Sequence, residues 1–257
     1  MRLPKLVGYD YFCIVKPGLL VILPTYKERE NVANMIHAIF SLPEPFHLLV
    51  VDDNSPDGTA KIVEDLQSQF SDRLFLVKRS GKLGLGTAYI HGFRWGIERN
   101  YEYMFEIDCD FSHNPVDLVR LLSACREDGY DLAIGSRYVT GVNVVNWPMD
   151  RVLISYFASV YVRFITGMKL RDTTAGFKCY RTTALQKILT KPIRFIGYAF
   201  QIEMKFKAWK FGLKIKEVPI IFTDRSAGDS KMSKGIIREA VFGVIVLKIL
   251  SWFQKWD

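Results

Sequence analysis

The chain has 257 residues, 49% hydrophobic and 24% charged, with mean hydropathy +0.07. That profile excludes a disordered, collagen-like or low-complexity protein and suits one large domain or two small ones. Lysine and arginine (35) outnumber aspartate and glutamate (27), and the net charge of +8 favours polyanionic partners: nucleic acid, an anionic bilayer, or phosphorylated small molecules.

Residues 1–18 carry apolar residues interrupted by Asp10 and Lys16, with no small-residue cleavage site after them. They read as an extension of unassigned role, not as a signal peptide. From residue 19, β-rich runs alternate with amphipathic ones: LLVILP and a helix at 30–41, HLLVVDD and a helix at 57–70, RLFLVK and a helix at 86–99, YMFEID and a helix at 115–127, then DLAIGS. Such repeated βα units predict an α/β fold around a mainly parallel sheet. Ser55-Pro56 and Asn114-Pro115 each place a capping side chain before a proline and predict helix starts there. Beyond 140 the spacing predicts a greasy helix at 150–166, a strand at GFKCY, a helix at 199–211, a strand at KEVPIIF and an amphipathic C-terminal helix at 236–257.

The longest greasy stretches, 152–165 and 240–253, hold Arg163 and Lys248. At about 14 residues each they reach roughly 21 Å, short of a hydrocarbon core of ~30 Å. They are read as interfacial helices, not as spans, with Arg151, Arg163, Lys248 and Lys255 near headgroups and Trp252 and Trp256 at the boundary. The four cysteines, at 13, 109, 125 and 179, have neither CxxC nor zinc-like spacing, which fits a reducing cytosol.

The apolar runs end in PTYKERE, DDNSPDG, KRSGKLG, DCDFSHNP and GSRY, so charged and small residues gather where open α/β sheets bind ligands. Asp108 and Asp110 leave YMFEI two residues apart, and strand alternation would face them the same way. Their mutual repulsion calls for a cation, and a hard ion such as Mg2+ or Mn2+ would share itself between these carboxylates and phosphate oxygens. Ser112 or His113 could add a ligand. Gly81-Lys82-Leu83-Gly84-Leu85-Gly86 is neither a Walker A nor a GxGxxG pattern, and reads as a substrate-covering loop with Lys82 near phosphate.

PTYKERENV, VVDDNSPDGT, GKLGLGTAYIHG, DCDFSHNP, GSRYVTG, DTTAGFKCYR, GYAFQIEM and VPIIFTDRSAGDSKMS, in this order, closely resemble the dolichol-phosphate (polyprenol-phosphate) mannosyltransferases, family-2 inverting glycosyltransferases with a GT-A, Rossmann-like fold. The resemblance runs from about 19 to 235, which would make 19–235 the catalytic domain and 236–257 an amphipathic tail. It implies that Pro24, Tyr26 and Glu28 contact the nucleotide of GDP-mannose, with Lys27 where asparagine is usual, and that Val51 and Asp53 flank the guanosine. It implies Asp108, Cys109 and Asp110 at the donor and its metal, Mg2+ or Mn2+, with Asp110 the direct ligand and Ser112 in place of a ligating glutamine. Arg137, Arg151 and Ser155 would hold the acceptor phosphate, and Arg225 and Lys231 would close over the diphosphate.

The implied reaction is mannosyl transfer to a polyprenyl phosphate with inversion at the cytoplasmic face of a membrane, carried by Asp110, Arg137 and Arg151. A phosphate monoester is mostly dianionic at pH 7, so no strong general base is required. The chain would sit on the surface as a monotopic protein, alone or beside a membrane-protein partner. The nearest rival is a polyprenyl-phosphate glucosyltransferase using UDP-glucose; a non-catalytic membrane-associated scaffold is the rival from another class. A nucleotide-binding dehydrogenase would need GxGxxG where PTYKERE stands, and no basic stripe interleaved with aromatics suggests nucleic acid.

Overall fold

The computed structural model describes residues 18–224 and 234–256. In chain order the elements are β1 (Leu19–Thr25), α1 (Val32–Phe40), β2 (Phe46–Asp52), α2 (Thr59–Gln67), β3 (Leu74–Lys78), α3 (Leu85–Glu98), β4 (Tyr103–Glu106), α4 (Asp117–Arg126) and β5 (Leu132–Ser136). They continue with β6 (Val144–Val145), α5 (Met149–Thr166), β7 (Lys178–Arg181), α6 (Thr182–Leu189), α7 (Tyr198–Lys210), β8 (Ile215–Pro219), β9 (Phe222–Thr223) and α8 (Lys234–Trp252). The main sheet runs β3-β2-β1-β4-β7-β5-β8. Every pairing in it is parallel except those of β7, which lies antiparallel to both β4 and β5.

Both faces of the sheet are covered, so its central strands β1 and β2 are mostly apolar and buried. Alternate β1 residues divide between two cores: Leu19, Val21 and Leu23 join one that includes α1 and α4 side chains, Leu20 and Ile22 one that includes α3 and α7 side chains. Helix α3 lies against the sheet because Gly92 has no side chain. A Cβ there would stand 2.6 Å from the Ile22 side chain.

Several expectations are corrected. Helix α2 starts at Thr59 behind a left-handed Gly58 and not at Pro56, because the Ser55 amide and hydroxyl both bond to Asp52. Asn114 makes the capping bond expected of it, its side chain accepting the Val116 amide, but regular α4 begins only at Asp117. Strand β4 ends at Glu106, so Asp108 and Asp110 stand on a loop and strand alternation does not orient them. KEVPIIF divides into β8 and β9, and the second pairs with β6 in a separate two-stranded sheet. Half-buried Trp256 packs edge-on against Phe211 and donates its indole N–H to the Ser251 carbonyl.

Helices α5 and α8 pack together, tied by Tyr161 to the Val241 carbonyl and by Lys248 to the Thr166 carbonyl. Their outer faces expose Phe157, Phe164, Phe242, Trp252 and Phe253. Among the described residues no helix is long and apolar enough to cross a membrane.

Candidate active site

Three loops meet at the carboxyl ends of β1, β2 and β3. The loop after β1 is tied to the loop after β2 by backbone amides: Lys27 to the Ser55 hydroxyl, Glu28 to the Thr59 hydroxyl and Arg29 to Asp57. Lys27 adopts φ +56°, a left-handed conformation that asparagine tolerates better than lysine. The Lys82 ammonium stands 4.9 Å from the centre of the Tyr26 ring and so brings the glycine loop over the first.

Asp53 anchors that glycine loop. Its carboxylate takes the Arg79 guanidinium and the Leu83 amide, while Arg79 also bonds Thr87 and the Gly84 carbonyl. Gly84 is required where it stands, because φ +101° is open to few other residues and a Cβ would press on Ile196 at 3.2 Å. Burial pushes the Asp53 carboxyl up, and its contacts with Arg79 oppose that rise. The Val51 side chain is fully buried in the core.

On the loop after β4, the Asp108 side chain is 39% exposed whereas Asp110 is buried and accepts the Ser112 amide. The Tyr89 hydroxyl donates to the Ile107 carbonyl at 3.2 Å and reaches Asp108 at 3.4 Å. Cys109 fits buried between the two aspartates. His113 Nδ1 lies 4.0 Å from Asp108 and is buried with no hydrogen-bond partner among the described residues. Burial brings its pKa down to about 4 against the opposing charge of Asp110, and Arg137 adds to the drop, so the imidazole is neutral at pH 7.

No cluster of three or more His, Cys, Asp or Glu side chains among the described residues could hold a metal. The residues nonetheless fit a hard divalent ion that takes its remaining ligands from a diphosphate, the usual arrangement for Mg2+. One carboxylate faces solvent, and a histidine nitrogen without a hydrogen-bond partner among the described residues stands 4.0 Å from it.

Beneath this loop lies a buried ionic cluster. Glu106 accepts Lys178 at 2.9 Å, Gln201 at 2.9 Å and the Tyr180 hydroxyl at 2.9 Å, and Lys178 also bonds Gln201. Glu106 and Lys178 are direct partners across β4 and β7.

The two predicted arginines converge from different elements. Arg137, at the end of β5, is gripped by Asp172 through Nε and Nη2, each at 2.7 Å, and bonds Thr174. Arg151, in the first turn of α5, pairs with Asp224 at 2.9 Å. Both guanidinium carbons face the Trp147 indole, at 5.6 Å and 4.4 Å. Trp147 meets Phe222 at 5.0 Å, and Phe222 meets His113 at 5.1 Å. Strand β9 carries this column: the Phe222 amide bonds Asn143, the Thr223 amide bonds Ser112 and the Asp224 amide bonds Val145. Ser155 lies beside the Tyr138 hydroxyl.

The fold therefore gathers Tyr26, Asp53 and Lys82 on one side, Asp108 and Asp110 in the middle, and Arg137 and Arg151 on the other. Arg225 and Lys231 lie outside the described residues. The sequence reading missed Arg79, Asp172, Trp147 and Phe222. Arg79 was within reach of it as the cation following β3, but its burial and its partners come from elsewhere in the chain.

Residues 20–189 match the family described as Glycosyl transferase family 2. The chain is 46% identical over 233 residues to the polyprenol monophosphomannose synthase of Mycolicibacterium smegmatis, covering 91% of this chain and 86% of that protein. It is 44% identical over 226 residues to the undecaprenyl-phosphate mannosyltransferase of Micrococcus luteus, covering 88% and 92%. Among solved structures, glucosyl-3-phosphoglycerate synthase from Mycobacterium tuberculosis, in complex with Mn2+, UDP and glucosyl-3-phosphoglycerate, superimposes with a TM-score of 0.63 at 16% identity, over 91% of this chain and 80% of that one. A mannosyltransferase from Pyrobaculum calidifontis in complex with GDP-Man and Mn2+ gives 0.54 at 13% identity, over 93% and 74%. At these identities the two structures establish the fold, that of the GT-A glycosyltransferases.

Proposed function

Because the chain belongs to glycosyl transferase family 2, we propose that this glycosyltransferase moves mannose from GDP-mannose to a polyprenyl phosphate, inverting the anomeric carbon. The observation that carries the reading is the convergence of Arg137 and Arg151 on one indole, joined through Phe222 and His113 to the Asp108–Asp110 loop. Two anions must be brought together in this reaction, and the site offers a cationic side for one beside a dicarboxylate for the counter-ion of the other. The names of the two relatives support the lipid phosphate and the mannose. The GDP-Man complex of a structural neighbour favours the guanosine donor.

In this reading Tyr26, Glu28 and Asp53, the last fixed by Arg79, receive the nucleoside, and Lys82 approaches the diphosphate. Asp108 and Asp110, with Ser112 close by, hold a divalent ion, Mg2+ or Mn2+. Such an ion neutralises charge on a departing diphosphate. Arg151, with Ser155 beside it and Arg137 behind it, orients the acceptor phosphate for in-line attack. Its dianionic form needs no base, so catalysis rests on positioning and charge. Arg225 and Lys231 complete the donor side in the proposal.

The exposed apolar faces of α5 and α8 rest on the bilayer surface in this reading, which leaves the isoprenoid in lipid while its phosphate enters the site. The protein is then peripheral, on the cytoplasmic face where nucleotide sugars are supplied.

The test is to incubate purified protein with labelled GDP-mannose or UDP-glucose, a polyprenyl phosphate, and Mg2+ or Mn2+, and to follow label into the lipid phase. GDP-mannose is expected to be the donor, and Asp110→Ala to abolish transfer with circular dichroism unchanged. Transfer from UDP-glucose instead would select the glucosyl reading. No transfer from either donor would favour a scaffold.

A further inference from the structure

Arg137 and Arg151 are rooted far apart in the chain, yet their guanidinium groups stand against one side chain. Trp147 lies between them in sequence, and both guanidinium carbons face its ring. Its backbone is fixed on both sides, by Asn146 at φ +61° and by Pro148 at the N-cap of α5. Its ring is fixed by edge-on contact with Phe222 at 5.0 Å. Each arginine has a carboxylate on another flank, Asp172 for Arg137 and Asp224 for Arg151, and among the described residues the indole is the ring the two share.

The electron-rich face of an indole attracts a guanidinium, and one ring can orient both arginines. Arg137 is held besides by Asp172 and faces the Tyr138 and Phe222 rings at 5.1 Å and 5.5 Å, so Arg151, at 4.4 Å, depends more on the indole.

We infer that Trp147 is a positioning residue that orients the Arg151 guanidinium beside Arg137, and so sets the affinity for the lipid-phosphate acceptor. This rests on the acceptor-phosphate reading of the two arginines given above. The π face does the positioning, so the effect follows the ring and not the indole nitrogen.

The experiment measures acceptor and donor KM separately for Trp147→Phe, which keeps a π face, and for Trp147→Leu and Trp147→Met, which remove it; whichever of the last two folds is the one read. Loss of the ring is expected to raise the polyprenyl phosphate KM about tenfold, from two cation–π contacts. The GDP-mannose KM should stay within about twofold and the phenylalanine variant within about threefold of the parent. A general structural defect would move both KM values together and would overturn the inference. So would a phenylalanine variant as impaired as the leucine one, or a leucine variant with an unchanged acceptor KM.

Arg151→Ala, assayed in parallel, separates the two levels of the reading. An unchanged acceptor KM in Arg151→Ala would remove the phosphate site itself and the inference with it. A raised KM there beside normal Trp147 variants would remove the inference alone. Combining Trp147→Leu with Arg151→Ala should add little beyond either change, because the two residues act as one unit; full additivity would refute the coupling.

Discussion

Replacing Lys178 by methionine tests whether the floor of the carboxylate loop is held by charge pairing. Lys178 and Glu106 are both fully buried and 2.9 Å apart. Burial lowers the lysine pKa, and the Glu106 charge opposes that shift. Methionine keeps most of the stem volume between the Tyr180 and Phe200 rings, so the cavity term is small and the main loss is the charge. Glu106 would keep the Tyr180 hydroxyl and the Gln201 amide as donors but would lose its only cationic hydrogen-bond donor among the described residues. Removing one member of a buried pair costs about 3–5 kcal/mol, and the two remaining donors place the expected loss near 3 kcal/mol. For a chain whose stability is of order 5–15 kcal/mol, this is a large fraction. In urea, with a slope of about 3 kcal/mol per molar, the midpoint should fall by about 1 M. Glu106→Gln combined with Lys178→Met leaves neither member of the pair charged and should recover at least half of that loss, a coupling of about 1.5–3 kcal/mol. A single-variant shift below about 0.3 M, or a double variant as unstable as the two single losses added, would refute the reasoning.

Arg79→Ala strips Asp53 of its guanidinium in a setting where both side chains are nearly buried. The GDP-mannose KM should rise at least tenfold and stability should fall by about 3 kcal/mol, and Arg79→Lys should not rescue either, since one ammonium cannot span Asp53, Thr87 and Gly84. Lys27→Asn relieves the left-handed lysine and should raise the thermal midpoint by about 1–2 °C, equivalent to about 0.5 kcal/mol; an unchanged or lower midpoint would argue against backbone strain there. His113 is held near pKa 4 against an ordinary value of 6.5, so between these values the unfolded chain binds more protons than the folded one. Stability in the presence of a chelator should therefore fall as pH drops from about 6.5 towards 4, and His113→Asn should flatten that slope in calorimetric scans.

Much of the architecture follows from local pattern. The apolar runs that became β1, β2, β3, β4 and β5, and the helical spacing of Val32, Met35, Ile36 and Ile39, depend on near neighbours and are read correctly to within a few residues. Errors arose where a distant or competing partner decided the outcome. Asp52 captures Ser55 and delays α2. Helix α6 follows β7 with no turn residue between them, so no punctuation announced it. The antiparallel entry of β7 has no signature in KCYR itself.

The carboxylates, glycines and arginines of the site were visible as residue types at strand ends, because a buried sheet expels polar groups to its rims and alternation marks where each strand stops. What the letters could not supply was which charge answers which. Lys178 meets Glu106 across 72 positions, Arg151 meets Asp224 across 73 and Arg137 meets Asp172 across 35. Those pairings follow from strand register and from helix docking, and burial enforces them because a charge removed from water without a partner is too costly to keep. Sequence chose the chemical groups and the rim on which they stand; only the folded chain decided that two arginines would share one indole beside an acidic loop.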